Sequence, residues 1–333
     1  MAARRSDVVR KGEAGVYHCY SRCVRRAFLM GGDQGSGRNY DHRRQWFVRR
    51  LEALADVFAI DINFFSVLSN HFHLVLRTCP RRVKMMGNSE VARRWLMVFS
   101  GKRNLTDEIP EPSQEQIDEL VKDKKKMRRI RKRLSNVSWF MGALKEYIAR
   151  RANREDECKG AFWEKRFGCR AVRGEHGLLV VGLYTDLNLV RAGEVSDPLT
   201  SSFCSAGLRN KAANGDADWL SELTLAEGQD PDGPSKHHGR ATDRGTLEMP
   251  NEEYERILAG LVMKESRKRI PPDLVRQFEQ RTIDAKELFS VFDNLSTAFP
   301  KVVGDVASIR SHAEQVGRRW FHGLLQASRL FTV

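Results

Sequence analysis

"IDINFFSVLSNHFHLVLRT", residues 60–78, reads as two β-strands joined by a tight turn at Leu68–Asn70. Side chains alternate along a strand, so in the second strand Phe72, Leu74 and Leu76 point to one face and His71, His73, Val75 and Arg77 to the other. The first set is core. The second places two imidazoles about 7 Å apart on one surface, where both can reach a divalent ion if a third ligand approaches from another element. Alone the His-x-His triplet is weak, because nine histidines in 333 residues produce it by chance in about one chain in four. Its meaning depends on what surrounds it.

Working outward, "GVYHCYSRC" (15–23) alternates and is rich in aromatics, which predicts a strand carrying His18, Tyr20 and Arg22 on one face. His18 is expected to be structural or close to a nucleic-acid ligand. Phe47, Leu51, Leu54, Ala55 and Phe58 recur at helical spacing, and a second helix is predicted around "SEVARRWLMVFSG" (89–101). Residues 102–136 break the pattern, passing from acidic to strongly basic. Nine of the twelve residues from Lys122 to Arg133 are Lys or Arg, and the segment reads as an inserted charged helix or arm outside the core. A helix over 137–153, a basic strand-like segment "GAFWEKRFGCRAV" (160–172) and a helix over 175–193 follow. Residues 208–249, rich in Gly, Asp, Ser and Pro, predict a linker in which His237 and His238 are merely exposed, and 250–333 reads as mostly helical. The order of elements predicts an α+β fold: a ferredoxin-like, split βαβ antiparallel sheet in residues 1–207 with helices on one face, plus a mainly helical C-terminal extension of unassigned role.

Composition narrows the partner. No apolar run reaches the 18 residues of a membrane span, and the basic start lacks the apolar stretch of a secretory signal, so a soluble cytoplasmic protein is expected. The six cysteines are scattered without a C-x-x-C pair and read as free thiols. Of the formal charge of +14, residues 1–200 carry 39 basic against 24 acidic side chains, or +15, and residues 201–333 carry 18 against 19, or −1. So lopsided a charge predicts a polyanion at the first three-fifths of the chain, and nucleic acid suits it best. Lys124, Lys125, Arg128 and Arg129 in the insertion can track phosphates or form a solvated helical face; Trp163, Lys165 and Arg166 can stack on bases and meet phosphates, although Trp163 fits a core position equally well.

The helix at 175–193 offers a third ligand. Tyr184 and Asn188, four residues apart, lie one above the other at the edge of a stripe formed by Leu179, Leu183, Leu187 and Val190. A phenol is a poor nucleophile at its ordinary pKa near 10, but a metal that neutralises a phosphodiester lets a phenolate attack phosphorus. On spacing alone these two also read as a half-buried helical tyrosine and a helix-end asparagine.

Four blocks in order, "EAGVYHCYSRCVRRAFL", "FSVLSNHFHLVLRTCP", "GAFWEKRF" and "LYTDLNLVRAGEV", resemble the successive motifs of the single-tyrosine HUH transposases, particularly the branch of REP-associated tyrosine transposases. The resemblance covers about residues 12–205. It implies that His71 and His73 hold Mg²⁺ or Mn²⁺, that Asn188 completes the metal site, and that Tyr184 attacks single-stranded or hairpin DNA to leave a 5′-phosphotyrosine and a free 3′-hydroxyl. It implies no energy cofactor. Such a site is built either within one chain or by exchange of the tyrosine helix in a homodimer. This sequence has Ser69 and Leu189 where the family has proline, and Cys23 where it has glycine. Tyr147, the rival nucleophile, shares the core face of its helix with Phe140 and Leu144 and has no amide four residues later. Two other classes fit parts of the pattern: a domesticated transposase that binds nucleic acid without cutting it, and a metallohydrolase using the His-x-His pair, for which the further His or Asp ligands are missing.

Overall fold

In the computed structural model the opening stretch forms two paired strands, β2 (Ile60–Val67) and β3 (His71–Thr78), around a turn at residues 68–70. The structure describes residues 5–32, 37–99, 110–211, 217–224, 245–247, 249–267 and 270–332. The expected helix end at Gly101, the first part of the insertion, and His237 and His238 lie outside these residues.

β1 (Gly15–Arg22) pairs antiparallel with β3 on one side and with β4 (Gly168–Val172) on the other. The sheet order is therefore β2-β3-β1-β4, all antiparallel, and β7 (Val302–Val303) adds a fifth strand parallel to β4. Register decides which side chains share a face. His18 lies opposite Val75 and Arg170, Tyr20 opposite His73, and Arg22 opposite His71. One face thus collects His18, Tyr20, Arg22, His71, His73 and Arg170, while Tyr17, Cys19, Phe72, Leu74 and Leu76 line the other, because paired residues point the same way.

The helices occupy both faces, not one as the sequence suggested. α1 (Asp41–Val57) lies on the apolar face, where Phe47 packs on Phe72 with ring centroids 4.7 Å apart. α7 (Gly174–Arg191) lies on the histidine face, where Tyr184 meets His73. The reason is the composition of α7: twelve of its eighteen residues are buried, so it needs cover on most sides. The sheet supplies one side and α9 (Asn251–Arg267) another, with Tyr254 of α9 donating to the buried Asp186 at 2.8 Å. The remaining helices are α2 (Pro80–Met85), α3 (Asn88–Phe99), α4 (Gln114–Lys122), α5 (Lys124–Leu134), α6 (Val137–Glu155), α8 (Ser205–Lys211), α10 (Pro272–Gln280), α11 (Ala285–Ala298), α12 (Val306–Gln315) and α13 (Leu324–Leu330). A small sheet pairs β5 (Glu222–Thr224) with β6 (Gly245–Leu247). Among the described residues no helix is long and apolar enough to cross a membrane.

The basic insertion is not an arm outside the core. It is two helices broken at Asp123, whose side chain accepts from Lys126 N at 2.8 Å and caps α5. Ile117, Leu120, Met127 and Ile130 are buried on one side of the pair, while Lys124, Lys125, Arg128 and Arg129 are exposed on the other. Within the stretch expected as a linker, Trp219, Leu220 and Leu223 are buried and Trp219 packs on Phe65. Arg43, a polar position in the sequence pattern of α1, has a fully buried side chain that bridges Glu155 and Asp156 at the end of α6.

Candidate active site

Chain direction aligns the tyrosine helix with the histidine strand. β4 runs parallel to β3, since both are antiparallel to β1, and α7 returns along the sheet in the opposite sense. Moving four residues along α7, about 6 Å, therefore matches moving two residues back along β3, about 6.6 Å. Tyr184 sits edge-on to His73, centroids 5.4 Å apart, and to His18 at 5.9 Å. By these rises Asn188, one turn further, corresponds to the level of His71. Its Nδ2 donates to the Tyr184 backbone oxygen at 2.8 Å, which leaves the amide oxygen free of that bond, and the residue is 8% exposed. His71 and His73 have ring centroids 5.2 Å apart. One chain thus brings Tyr184, His73 and His71 together, with Asn188 one helical turn from Tyr184.

The imidazoles are held neutral. Burial, with Arg22 nearby, lowers the His71 pKa to about 4. Burial lowers His73 well below its ordinary value, and the neighbouring His18, His71, Arg170 and Arg22 add to the effect. His18 is lowered well below its ordinary value by burial and by Arg170. Neutral imidazole is the form that ligates metal. The phenol of Tyr184 is raised above 10.0 by burial, against the opposing pull of Arg170, Arg191, the Asn188 side chain and Arg22. It is a protonated phenol at neutral pH, with three guanidinium groups near enough to favour the phenolate.

A chain of hydrogen bonds runs behind the histidines. Arg170 Nη1 lies 3.3 Å from His18 Nδ1, and His18 Nε2 lies 2.9 Å from His73 Nδ1. Arginine can only donate. With Arg170 donating, His18 carries its proton on Nε2 and gives it to His73 Nδ1, so neutral His73 holds its own proton on Nε2. When Arg170 turns its donors to Tyr20 Oη, which Nη2 already reaches at 3.2 Å, the proton between the histidines can sit on His73 Nδ1 and leave Nε2 as a lone pair. His71 needs no such shift, because its Nδ1 donates to Asn70 Oδ1 at 2.5 Å and Nε2 is the free lone pair. In the second tautomer His71 Nε2, His73 Nε2 and the Asn188 amide oxygen offer the lone pairs that could hold a divalent ion. Among the described residues no group of three or more His, Cys, Asp or Glu side chains gathers to hold a metal, so the set would be two imidazoles and an amide. Imidazole donors favour Mn²⁺ over Mg²⁺, which prefers an all-oxygen shell.

Other expected residues are dispersed. Lys165 and Arg166 are exposed just before β4, whose first residue, Gly168, lies opposite Tyr20, so they stand near the Arg22 and His71 end of the sheet. Trp163 is a correction: it is 9% exposed, packs on Phe72 across the sheet from the histidines, and its indole N–H donates to Lys145 O at 3.0 Å, so it is core and not a stacking platform. Arg77 is likewise buried, at 6% exposed, in the body of the sheet. Tyr147 is buried and has Arg50 over its ring at 4.6 Å.

Sequence reading missed Arg170 and Glu194. Arg170 sits on an edge-proximal strand whose register brings it to His18, and only the pairing reveals that. Glu194 Oε1 accepts from Ser69 N at 2.9 Å and from Ser69 Oγ, while Oε2 accepts from Arg44 Nη1 at 2.6 Å. Ser69 thereby ties the β2–β3 turn to the end of α7, an attachment a proline there could not make. Beside the turn a cavity of about 920 Å³ opens onto His71, lined also by Arg38, Asn39, Asp41, Asn70 and Glu194.

No family model and no curated protein matches the sequence. Among solved structures the chain is similar to a REP-associated tyrosine transposase bound to a REP hairpin, at 15% identity and a TM-score of 0.37, covering 69% of this chain and 98% of that chain.

Proposed function

We propose that the protein is a metal-dependent DNA strand transferase of the single-tyrosine HUH type, acting on single-stranded or hairpin DNA. The observation that carries this reading is the packing of Tyr184 against the histidine pair, edge-on to His73 and with His71 next to His73, while Asn188 follows one turn on along the same helix. The strand order β2-β3-β1-β4 supports a ferredoxin-like, split βαβ core beneath the site.

In this mechanism His71, His73 and Asn188 would hold Mn²⁺ or Mg²⁺, which would supply neutralisation of charge on the scissile phosphodiester. Tyr184 Oη attacks phosphorus, the bond from phosphorus to the 3′-oxygen breaks, and a 5′-phosphotyrosine forms. The phenol loses one proton and the departing 3′-oxygen gains one, so the net proton count is unchanged. Burial raises the phenol overall, and Arg170, Arg191 and Arg22 oppose it by favouring the phenolate. Attack of a 3′-hydroxyl on the phosphotyrosine reverses the step and joins strands. Lys165 and Arg166 by the site, and Lys124, Lys125, Arg128 and Arg129 on α5, meet backbone phosphates. A DNA substrate places this work at the nucleoid.

The test is a covalent adduct with labelled hairpin DNA in the presence of Mn²⁺, resolved on a denaturing gel. Tyr184→Phe is expected to abolish it, and His71→Ala with His73→Ala to reduce it at least a hundredfold, about 2.7 kcal/mol of barrier. An undiminished adduct in Tyr184→Phe sinks the assignment.

A second reading is favoured by one observation: in the tautomer that Arg170 imposes, His73 presents a proton instead of a lone pair where a metal would bind. A domesticated protein that binds nucleic acid without cutting it fits that state. Tight hairpin binding with no adduct at any Mn²⁺ concentration would select it.

A further inference from the structure

At the opposite end of the sheet from His71, three helix ends and the N-terminal loop enclose a second cavity, of about 410 Å³. Lys11 and Gly12 come from the loop before β1, Pro80 and Lys84 from α2, Lys132 from the last turn of α5, and Ser135 and Asn136 from the junction with α6. No carboxylate lines it. Lys11, Lys84 and Lys132 are exposed, and none is in an ion pair among the described residues. Gly12, at φ +80°, makes the left-handed turn that carries the loop past the pocket, a conformation costly for other residues. Asn136 caps α6, so the positive end of that nineteen-residue helix adds to the lysines.

The pocket is rigidly framed. Arg131 donates to Val83 O at 2.6 Å, Met86 O at 2.8 Å and Asn88 Oδ1 at 2.8 Å, fixing α5 against α2 and the start of α3. Lys132 also ends a basic stripe on α5: Lys125, Arg128 or Arg129, and Lys132 follow at helical spacing on the exposed side. The concavity is therefore the terminus of a cationic track.

We propose that this pocket binds backbone phosphates of a duplex DNA stem, well away from the proposed cleavage site. The inference rests on DNA being the substrate and deepens that reading by assigning where the stem lies. Pro80 is nine residues along the chain from His71, and the seven strand steps of β3 alone span about 23 Å. At 3.4 Å per base pair that is about seven base pairs of duplex, so a shorter stem held at the histidines does not reach the lysines.

The experiment measures binding by fluorescence anisotropy for hairpins with a common loop and single-stranded arm and stems of about four or about twelve base pairs, chosen to fall short of or exceed that span. Wild-type protein is compared with Lys11→Gln/Lys84→Gln/Lys132→Gln, all three being exposed positions, and thermal melting checks the fold. In wild type the long stem is expected to bind about tenfold more tightly, with a salt dependence steeper by about two to three, one step per phosphate contact. In the triple variant the ratio of affinities should fall to about one and the extra slope should vanish. A long-stem advantage that survives in the variant overturns the inference, as does one seen with RNA hairpins but not with DNA. A wild-type protein that shows the advantage, loses it in the variant and yet forms no covalent adduct upholds this inference while removing the strand-transfer reading.

Discussion

Arg170 is the residue on which the chemistry of the site turns. Its guanidinium is buried, lies over the Tyr20 ring at 4.5 Å, and orients His18, which in turn sets the proton on His73. It also pulls the Tyr184 phenol down. These roles act in opposite directions on the proposed reaction. Arg170→Met keeps most of the volume but removes both the donor and the charge, so Mn²⁺ should bind more tightly, by about tenfold or about 1.4 kcal/mol, which isothermal titration can read. The same variant should shift the pH dependence of adduct formation upward, because the phenolate loses a cation. Unchanged or weaker Mn²⁺ binding would refute the tautomer argument. Alternation put His71 and His73 on one strand face, and spacing put Tyr184 and Asn188 on one helix face, since those periods are local properties of the chain; the roles proposed for them came only with the resemblance. Arg170 was not, because its part depends on the pairing of β1 with β4, and register across strands distant in sequence leaves no local mark. Trp163 was misplaced for a related reason: an aromatic beside basic residues looks the same in sequence whether it faces solvent or Phe72.

The position of α7 is set by two glycines against which nothing larger fits. A Cβ on Gly177 would lie 2.9 Å from Val303 O, and one on Gly182 would lie 2.7 Å from the Phe64 ring. Phe64 is itself fully buried and stacked on Tyr254, so it cannot give way. Gly182→Ala should force α7 off the sheet at a cost of about 1–3 kcal/mol, seen as a lower melting temperature. Because Tyr184 follows two residues later, adduct formation should fall at saturating DNA more than DNA binding does. A variant that melts and reacts like wild type would show that α7 has slack. The sequence predicted most elements close to their observed limits, including the paired strands at 60–78 and α6. It failed where elements are short or serve several neighbours. α2 is a single turn and a half begun by Pro80, too short to show periodicity. The insertion read as lying outside the core because its charges outnumber its apolar residues, yet five apolar side chains, Ile117, Leu120, Met127, Ile130 and Leu134, are buried where α4 and α5 dock.

At the scale of the whole molecule the C-terminal segment completes the sheet and holds a buried network, not only helices of its own. β7 pairs with β4, and His312 of α12 accepts from Arg173 at 2.8 Å through Nδ1 while its Nε2 lies 3.2 Å from Asp7 O. Burial, with Arg173 and Arg10 nearby, lowers the His312 pKa to about 4. With His18, His71 and His73, that makes four imidazoles kept neutral by the folded chain, which in the unfolded chain titrate at the ordinary value of 6.5. Below that value the unfolded state takes up protons that the folded state refuses, so stability must fall as pH drops from about 6.5 towards about 4 and be fully present above that window. For His71 alone the shift from 6.5 to about 4 amounts to about 3 kcal/mol as an upper bound. Carboxylates such as Asp7 and Glu90, whose pKa values are lowered from 3.8 and 4.5, lose their contribution only at lower pH, so the upper part of the window belongs to the histidines. The melting temperature of metal-free protein is therefore expected to drop between pH 7 and 5 by several degrees for each pH unit, given an unfolding entropy of about 2.1 cal/mol/K per residue, or about 1.5 °C per kcal/mol for 333 residues. Adding Mn²⁺ should flatten the acid limb, because a ligated imidazole resists protonation. A melting temperature that stays level from pH 7 to 5 without metal would mean that these histidines exchange protons with solvent, and the site would then lack the dry, neutral imidazoles on which the proposed chemistry depends.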